Sequence, residues 1–487
     1  MIYTCYEFYN ARRSTPQALC IDVGDVTINI SCLTVILTLG AVMKGKEQTL
    51  IKDPLHGYIK LYPHEKCIVD SPPFQRLRRI KQLSASHLVY PGAVHTRFAH
   101  SLGVMYVAGV FAENMYSKLG IGADEVRRLK LIARLLGLLH DIGHGPYSHT
   151  FEDHVLVNYG TNHEVIGGRI VKEVPELAEC FDKVIEDEVG ISAETMGKMI
   201  EAPTLEVWPL TSDIASGVTE RSLYYIIRGA YASDIIDYLL RDSMFTGANY
   251  GIGLDWRRLA YHSSLIGDRV VLDYKAKDVL DHLLIARIFM FKTVYFHKTS
   301  RAFDRITGEL LVKADPILNF KEAVEDVSKY IELDDEYVLS HPEVRKLEEA
   351  KYLLNRIVPY KAVYEAVLPL ESNLKPFLTL SKRVLEEDLE RRLRSIAPDI
   401  PEDVRAVFVD TPKLPTNPMF EETVVAIQGP DGEVREIPVG STLTGLMPKE
   451  IAFIRIYIRD KYSKYAEALR QMARALMEGG GELRSFY

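Results

Sequence analysis

The spacing of apolar positions changes several times along this chain. Between residues 123 and 140, Leu129, Leu131, Ile132, Leu135, Leu136, Leu138 and Leu139 leave few polar positions on any face. A helix that is apolar nearly all round is buried on most sides. Gly143, Gly145 and Pro146 end it near Ile142. A second helix is predicted over 100–119. Phe74, Leu77, Ile80 and Leu83 recur at steps of three, which predicts a helix opened by Ser71-Pro72-Pro73 with Ser71 as N-cap. Before it, turn residues at 53–57 lead into a short strand at 58–61. Further helices are predicted over 163–174, 224–246, 279–313, 321–331, 344–355 and 381–396.

Beyond these the pattern shifts to period two. Residues 423–428 and 434–439 flank Gly429-Pro430-Asp431-Gly432, a hairpin with turn chemistry. Residues 451–458 (IAFIRIYI) read as a strand and 461–478 as a closing helix. The chain is therefore mainly α, with a smaller α+β tail that begins between Pro316 and Pro401. No internal repeat or low-complexity linker interrupts it.

One stretch near the start fits none of this. Residues 26–43 (VTINISCLTVILTLGAVM) hold no charge, a length at the short edge of the ~20 residues a bilayer span needs. Asp22 and Asp25 stand where a signal peptide needs basic residues. A buried strand is the preferred reading. A membrane anchor is the second, and a native start at Met43 with a foreign segment before it is the third. Three of the five cysteines (Cys5, Cys20, Cys32) lie in that segment, and Cys67 and Cys180 beyond it.

Composition narrows the function. A chain of 487 residues allows two to four domains, or one large elaborated one. With 47% hydrophobic and 26% charged residues it is globular. Five cysteines without a Cys-x-x-Cys pair support neither a zinc ribbon nor a secreted disulfide scaffold, so a cytoplasmic protein is expected. The net charge of -8 removes the simplest argument for nonspecific duplex binding. Arg76, Arg78, Arg79 and Lys81 lie off the apolar stripe of their helix, as a solvated face or a phosphate-binding one.

Histidine carries the strongest signal: eight of the 14 fall between His87 and His163. His140-Asp141 sits at the end of the apolar helix, where a histidine and a carboxylate need partners. A metal ion would satisfy both, and the donor set suits Zn, Mn, Fe or Ni better than Ca. His100 begins another helix and Asp234 lies in a third, so ligands can converge from separate helices.

The motifs DPLHG (53–57), FQRLRRIKQL (74–83), HTRFAHSLG (95–103), HDIGHGPYSH (140–149), NHE (162–164) and SDIIDYLLRD (233–242) occur in an order that resembles the HD-domain metal-dependent phosphohydrolases. The resemblance is closest to their deoxynucleoside triphosphate triphosphohydrolase branch, the dGTPase-like enzymes that include metazoan SAM-and-HD-domain members. It implies an HD-type helical core over 46–313, a C-terminal helical and α+β region over 314–487, and an N-terminal extension over 1–45. It implies metal ligation by His100, His140, Asp141 and Asp234, with Mn, Fe, Zn, Ni or Co bound and Mg arriving with the nucleotide. It implies catalytic roles for His144, His149 and His163, the last as general acid, with Glu152 orienting a histidine. Arg97 and Arg287 would bind phosphate. Gln82, Leu83, Tyr238 and Asp242 would hold the deoxyribose, and Tyr295 would lie near the base. Asp70, Gln75 and Arg78 match a regulatory site for GTP or dGTP in enzymes that assemble as homo-oligomers.

The implied reaction is hydrolysis of a dNTP to deoxynucleoside and inorganic triphosphate. One position departs from the family: Ile235 stands where the metazoan members carry a phosphate-binding lysine, a role Lys292 could take over. That departure keeps a phosphodiesterase or nucleotidase of the same superfamily in view. Two readings fall in different classes. One is a nucleic-acid-binding protein, supported only by the basic run 76–81, and the other is a silent nucleotide sensor. No membrane partner is expected.

Overall fold

The computed structural model describes residues 19–23, 26–30, 49–215, 217–369, 382–415, 424–438 and 450–478. The fold is mainly α, with small sheets concentrated in its C-terminal part. Its centre is the pair of helices Arg97–Tyr116 and Ala123–Leu139, which lie against each other. Every residue from Leu131 to Leu139 is buried, as the all-round apolar pattern requires. Each leucine so buried contributes roughly 1.5–3 kcal/mol. The polar break in that run, Arg134, is buried too, and forks onto Glu65 at 2.5 and 2.8 Å. Glu65 also accepts from the Tyr62 amide at the start of helix Pro63–Asp70, so one carboxylate answers both needs.

A second, smaller core lies in the C-terminal region. Leu385, Leu389 and Leu393 of helix Lys382–Arg394 pack with Val407, Val409, Ile454, Ile456 and Ile458. Strand Glu450–Arg459 pairs antiparallel with Tyr360–Pro369, Val407–Asp410 and Lys413–Pro415. The hairpin Val424–Gln428/Val434–Pro438 forms as its turn predicts, but it also pairs in parallel with Arg269–Asp273. The sheet therefore crosses the division expected at residue 313.

Several helices are shorter than the pattern predicts. The helix opened at Ser71 runs only to Arg76, then a 3-10 turn to Arg79, and Ile80 is extended. Lys81 instead bridges Thr96. Phe74, Leu77 and Ile80 are fully buried all the same, so the stripe marked burial and not helix length. Ser71 does not cap with its side chain; its Oγ donates to Ile68 O at 2.7 Å. The predicted helix 224–246 breaks into Leu223–Arg228 and Ser233–Thr246 around Gly229. The predicted helix 279–313 runs from Lys277–Met290 through a π-helical turn Phe291–Tyr295 and breaks at residues 296–297, before Lys298–Leu318.

Within the uncharged stretch 26–43, Val26–Ile30 is a strand paired antiparallel with Leu19–Val23, and the remainder lies outside the described residues. Among the described residues no helix is long and apolar enough to cross a membrane. Cys67 and Cys180 form a disulfide that ties helix Pro63–Asp70 to helix Pro175–Cys180, with Cα atoms 5.8 Å apart. Nothing in the cysteine spacing announces it.

Candidate active site

Three helices bring His100, His140, Asp141 and Asp234 together. His140 is the C-cap of Ala123–Leu139, and its Nδ1 donates to Gly137 O at 2.8 Å. That bond fixes the tautomer and leaves Nε2 as a lone-pair donor. Nε2 is buried without a hydrogen bond among the described residues, 3.3 Å from Asp141 Oδ1 and 3.7 Å from Asp234 Oδ1. His100 Nδ1 donates to Asp237 Oδ2 at 2.9 Å, which turns Nε2 toward Asp234 Oδ1 at 3.0 Å and Asp141 Oδ2 at 3.6 Å. Burial opposes a proton on His100, but Asp234 and Asp237 outweigh it and raise its pKa to about 10. Those carboxylates demand positive charge at Nε2, and a divalent cation would answer them there. The donor atoms of His100, His140 and Asp141 lie close enough together to hold a divalent metal, and Asp234 Oδ1 stands beside them, 3.0 Å from His100 Nε2.

Asp237 is a hub that sequence reasoning missed. It also takes a bidentate grip from Arg241 and a hydrogen bond from His56 at 2.7 Å. Arg241 in turn pairs with Asp53 at 3.0 Å, and Asp53 caps the Leu55 and His56 amides of the DPLHG turn. The signal was present: Asp234, Asp237 and Arg241 stand at helical spacing, on one face. Gly103 makes the approach possible, because a Cβ there would lie 1.9 Å from Asp237 Oδ1.

A second cluster abuts the first. His144 stacks on His163 with ring centroids 3.9 Å apart, and His149 meets both rings edge-on. Glu152 accepts from His149 Nδ1 at 3.0 Å and from His163 Nδ1 at 2.8 Å. Burial disfavours charge on Glu152, but these bonds hold its carboxyl far below the usual range. Burial, then the charges of Arg97 and His163, keeps the His144 pKa well below its ordinary value. Asn162 Oδ1 caps the Val165 amide and so starts the helix at His163. Gly143 lets that helix come close, since a Cβ there would sit 1.9 Å from His163 O.

A cavity of about 410 Å³ opens beside these histidines. Gln82, Leu83, Arg97, His149, Tyr238, Asp242 and Tyr295 line it, all of them predicted site residues. Arg97 Nη1 contacts Asp141 Oδ2 at 2.5 Å, joining cavity and metal cluster. Both Asp242 oxygens are held, by His95 Nε2 at 2.7 Å and by the Tyr295 hydroxyl at 2.6 Å. His95, which the sequence left without a role, is thereby assigned one.

Arg287 is not among the lining residues; it is buried with its guanidinium 4.8 Å over the Phe291 ring. Lys292 is exposed and also outside the lining, and Ile235 is half-buried. Asp70, Gln75 and Arg78 lie together away from the cavity: Arg78 Nε donates to Gln75 Oε1 at 2.8 Å, and Asp70 is exposed. Arg76 is neither a solvated nor a phosphate-binding group. It is 1% exposed and donates to the carbonyls of Ile142, His144 and Leu333.

The HD-domain family profile matches residues 97–224 and that of the HD-associated region residues 254–477. The chain is 29% identical over 359 residues to the deoxynucleoside triphosphate triphosphohydrolase SAMHD1 of Gallus gallus, covering 67% of this chain and 56% of that protein. It is 29% identical over 424 residues to an uncharacterized protein of Methanocaldococcus jannaschii, covering 86% of this chain and 80% of that protein. The solved structure of a hypothetical protein from Aquifex aeolicus is similar with a TM-score of 0.65 and 28% identity, over 87% of this chain and 99% of that one.

Proposed function

We propose, for a chain that carries an HD domain followed by an HD-associated region, the metal-dependent hydrolysis of a dNTP to deoxynucleoside and inorganic triphosphate. The observation that carries this reading is the junction of the two histidine clusters with a nucleotide-sized cavity, made through Arg97. A divalent ion on His100, His140, Asp141 and Asp234 would supply Lewis acidity at the scissile phosphate. Mn, Fe, Zn, Ni and Co suit those donors, with Mg entering on the nucleotide.

Arg97 then neutralises charge developing on the phosphoryl oxygens. Gln82, Leu83, Tyr238 and the doubly anchored Asp242 hold the deoxyribose, and Tyr295 borders the base. The proton for the departing 5′ oxygen comes from the pair bound to Glu152. We assign it to His149, the member that lines the cavity, in preference to His163. Neutral His144 donates a hydrogen bond to phosphate. Arg287 acts on this site only at second hand, through the Phe291 and Tyr238 environment.

The test is product identification with each dNTP across Mn, Fe, Co and Mg. Deoxynucleoside and intact triphosphate are expected; single phosphate or pyrophosphate as the only products refutes the reading. The half-buried Ile235, where a family lysine would stand, keeps a phosphodiesterase or nucleotidase as the second reading, although Lys382, Arg301 and Arg305 also line the cavity, and the same panel separates the two.

The paired surface residues Gln75 and Arg78, with Asp70 beside them, support a guanine-nucleotide activator site on a homo-oligomer. GTP or dGTP should speed dATP hydrolysis in the wild type and not in Asp70→Ala. A cytoplasmic location is part of the same proposal.

A further inference from the structure

The turn that carries the catalytic histidines is held in a strained shape. Tyr147 and Ser148 are consecutive non-glycine residues at φ 59° and 56°, and Ser148 continues at ψ −127°. L side chains rarely adopt this region, and it persists only where surroundings impose it. Here the surroundings are identifiable. Asp335, 2% exposed, accepts from the Tyr147 amide at 2.7 Å with Oδ1 and from the Lys81 amide at 3.0 Å with Oδ2. The Lys81 ammonium stands 3.6 Å from the same carboxylate. Ser148 Oγ donates to Lys81 O at 2.8 Å and accepts from Arg97 Nε at 3.0 Å. The Lys81 peptide is thus gripped at both ends, immediately before Gln82 and Leu83, and it bridges Thr96, immediately before Arg97. Behind the turn, the Tyr330 hydroxyl donates to Gly143 O at 2.9 Å, and Arg76 ties Leu333 O to Ile142 O and His144 O.

Tyr330, Leu333 and Asp335 all lie beyond the HD-domain match, inside the associated region. We infer that Asp335 and Ser148 are positioning residues for Arg97, and that the associated region sets the phosphate grip of the HD domain through them. Arg97 is fixed at two corners, Nε on Ser148 and Nη1 on Asp141. Among the described residues Nη2 makes no hydrogen bond, so this is the edge available to a phosphate oxygen. Without Ser148 Oγ the guanidinium keeps only its Asp141 contact and can swing. Without Asp335 the turn loses the bond that offsets its backbone strain, and Ser148 moves with it. This role rests on Arg97 meeting phosphate, as the proposed reaction requires.

The test uses the full chain loaded with Mn, with Ser148→Ala, Asp335→Asn, Asp335→Ala and the double variant Ser148→Ala/Asp335→Ala. Inorganic triphosphate is the binding probe, read by calorimetry, with bound metal measured on the same samples. Expected is a loss of triphosphate affinity of roughly 10-fold or more in each alanine variant, a similar rise in KM for dNTP, and unchanged metal content. Asp335→Asn keeps one acceptor oxygen and should retain part of the affinity. The double variant should be no weaker than the weaker single, because both act through Arg97. Wild-type affinity and KM in Ser148→Ala overturns the proposal, and so does a loss in Asp335→Ala that adds in full to that of Ser148→Ala. If Asp335→Ala does not fold, Ser148→Ala and Asp335→Asn carry the test. A wild type that binds triphosphate but turns over no dNTP refutes the proposed reaction alone, and the binding comparison still decides this role.

Discussion

The two histidine clusters lie side by side yet are held in opposite ways. In the first, every outer nitrogen is pinned from behind: His140 by a backbone carbonyl, His100 by Asp237. Their Nε2 atoms converge on Asp141 and Asp234 and leave no freedom of tautomer. In the second, a single carboxylate, Glu152, serves two rings, and His144 makes no hydrogen bond among the described residues. His149 is 65% exposed at its side chain, where His100 is 1%. Convergent donors pinned from behind suit a bound ion, whereas rings sharing one carboxylate suit groups that exchange protons with a ligand. What stands behind each ring thus differs between the clusters, and on the proposed reading that difference separates ligation from proton transfer.

The largest effect should come from breaking the first cluster. His140→Ala is expected to strip the metal and lower kcat/KM by roughly 10³-fold or more, because Lewis acidity and charge neutralisation go together. Metal analysis and turnover on one sample check this; full activity with bound metal would erase the contrast. Breaking the second cluster should be milder and different in kind. Glu152→Gln should lower kcat by roughly 10²-fold, the scale of one acid–base group, with metal content at the wild-type level. Loss of metal in Glu152→Gln would mean that the two clusters are one site.

Asp237→Asn sharpens the first side of the comparison. Loss of a carboxylate behind a ligating histidine typically costs about 10–100-fold in metal affinity. The variant should bind metal more weakly by about that factor and recover turnover when metal is raised. Its Tm should also fall, because Arg241 loses one of its two buried counter-charges and keeps only Asp53.

How much of this could be read in the sequence follows the length scale of each feature. The four converging donors and three histidines stood in short motifs whose order marked them. The helical core was legible because Leu129 to Leu139 has no polar face to expose. What escaped were partners distant in the chain. Asp335 lies 188 residues from Tyr147, and His95 147 from Asp242. Arg76 looked like surface because charged residues at that spacing usually are. Its burial depends on three carbonyls brought together only by the fold, two of them at Ile142 and His144 in the turn after His140-Asp141. The breaks at 229 and 296–297 escaped too, since tertiary packing overrides a helical pattern wherever a chain must change direction.

The smallest effect tests the second cluster through stability. The Glu152 carboxyl is held far below its unfolded value of about 4.5. The hydrogen bonds from His149 and His163 outweigh the cost of burying its charge. A depressed folded pKa means that the unfolded chain takes up the proton first as pH falls. The stabilisation is therefore complete above about pH 4.5 and is lost progressively below it. Glu152→Gln cannot titrate, so its Tm should lie a few degrees below wild type at about pH 6–7, and the gap should narrow between about pH 4.5 and 3. Leu136→Ala, a cavity variant in the buried helix Ala123–Leu139, should keep a constant offset over that window, because it removes no titrating group. A gap for Glu152→Gln that stays constant as well would mean that Glu152 does not hold its two histidines as a charged carboxylate. The contrast between a pinned cluster and a shared one would then lose its second half.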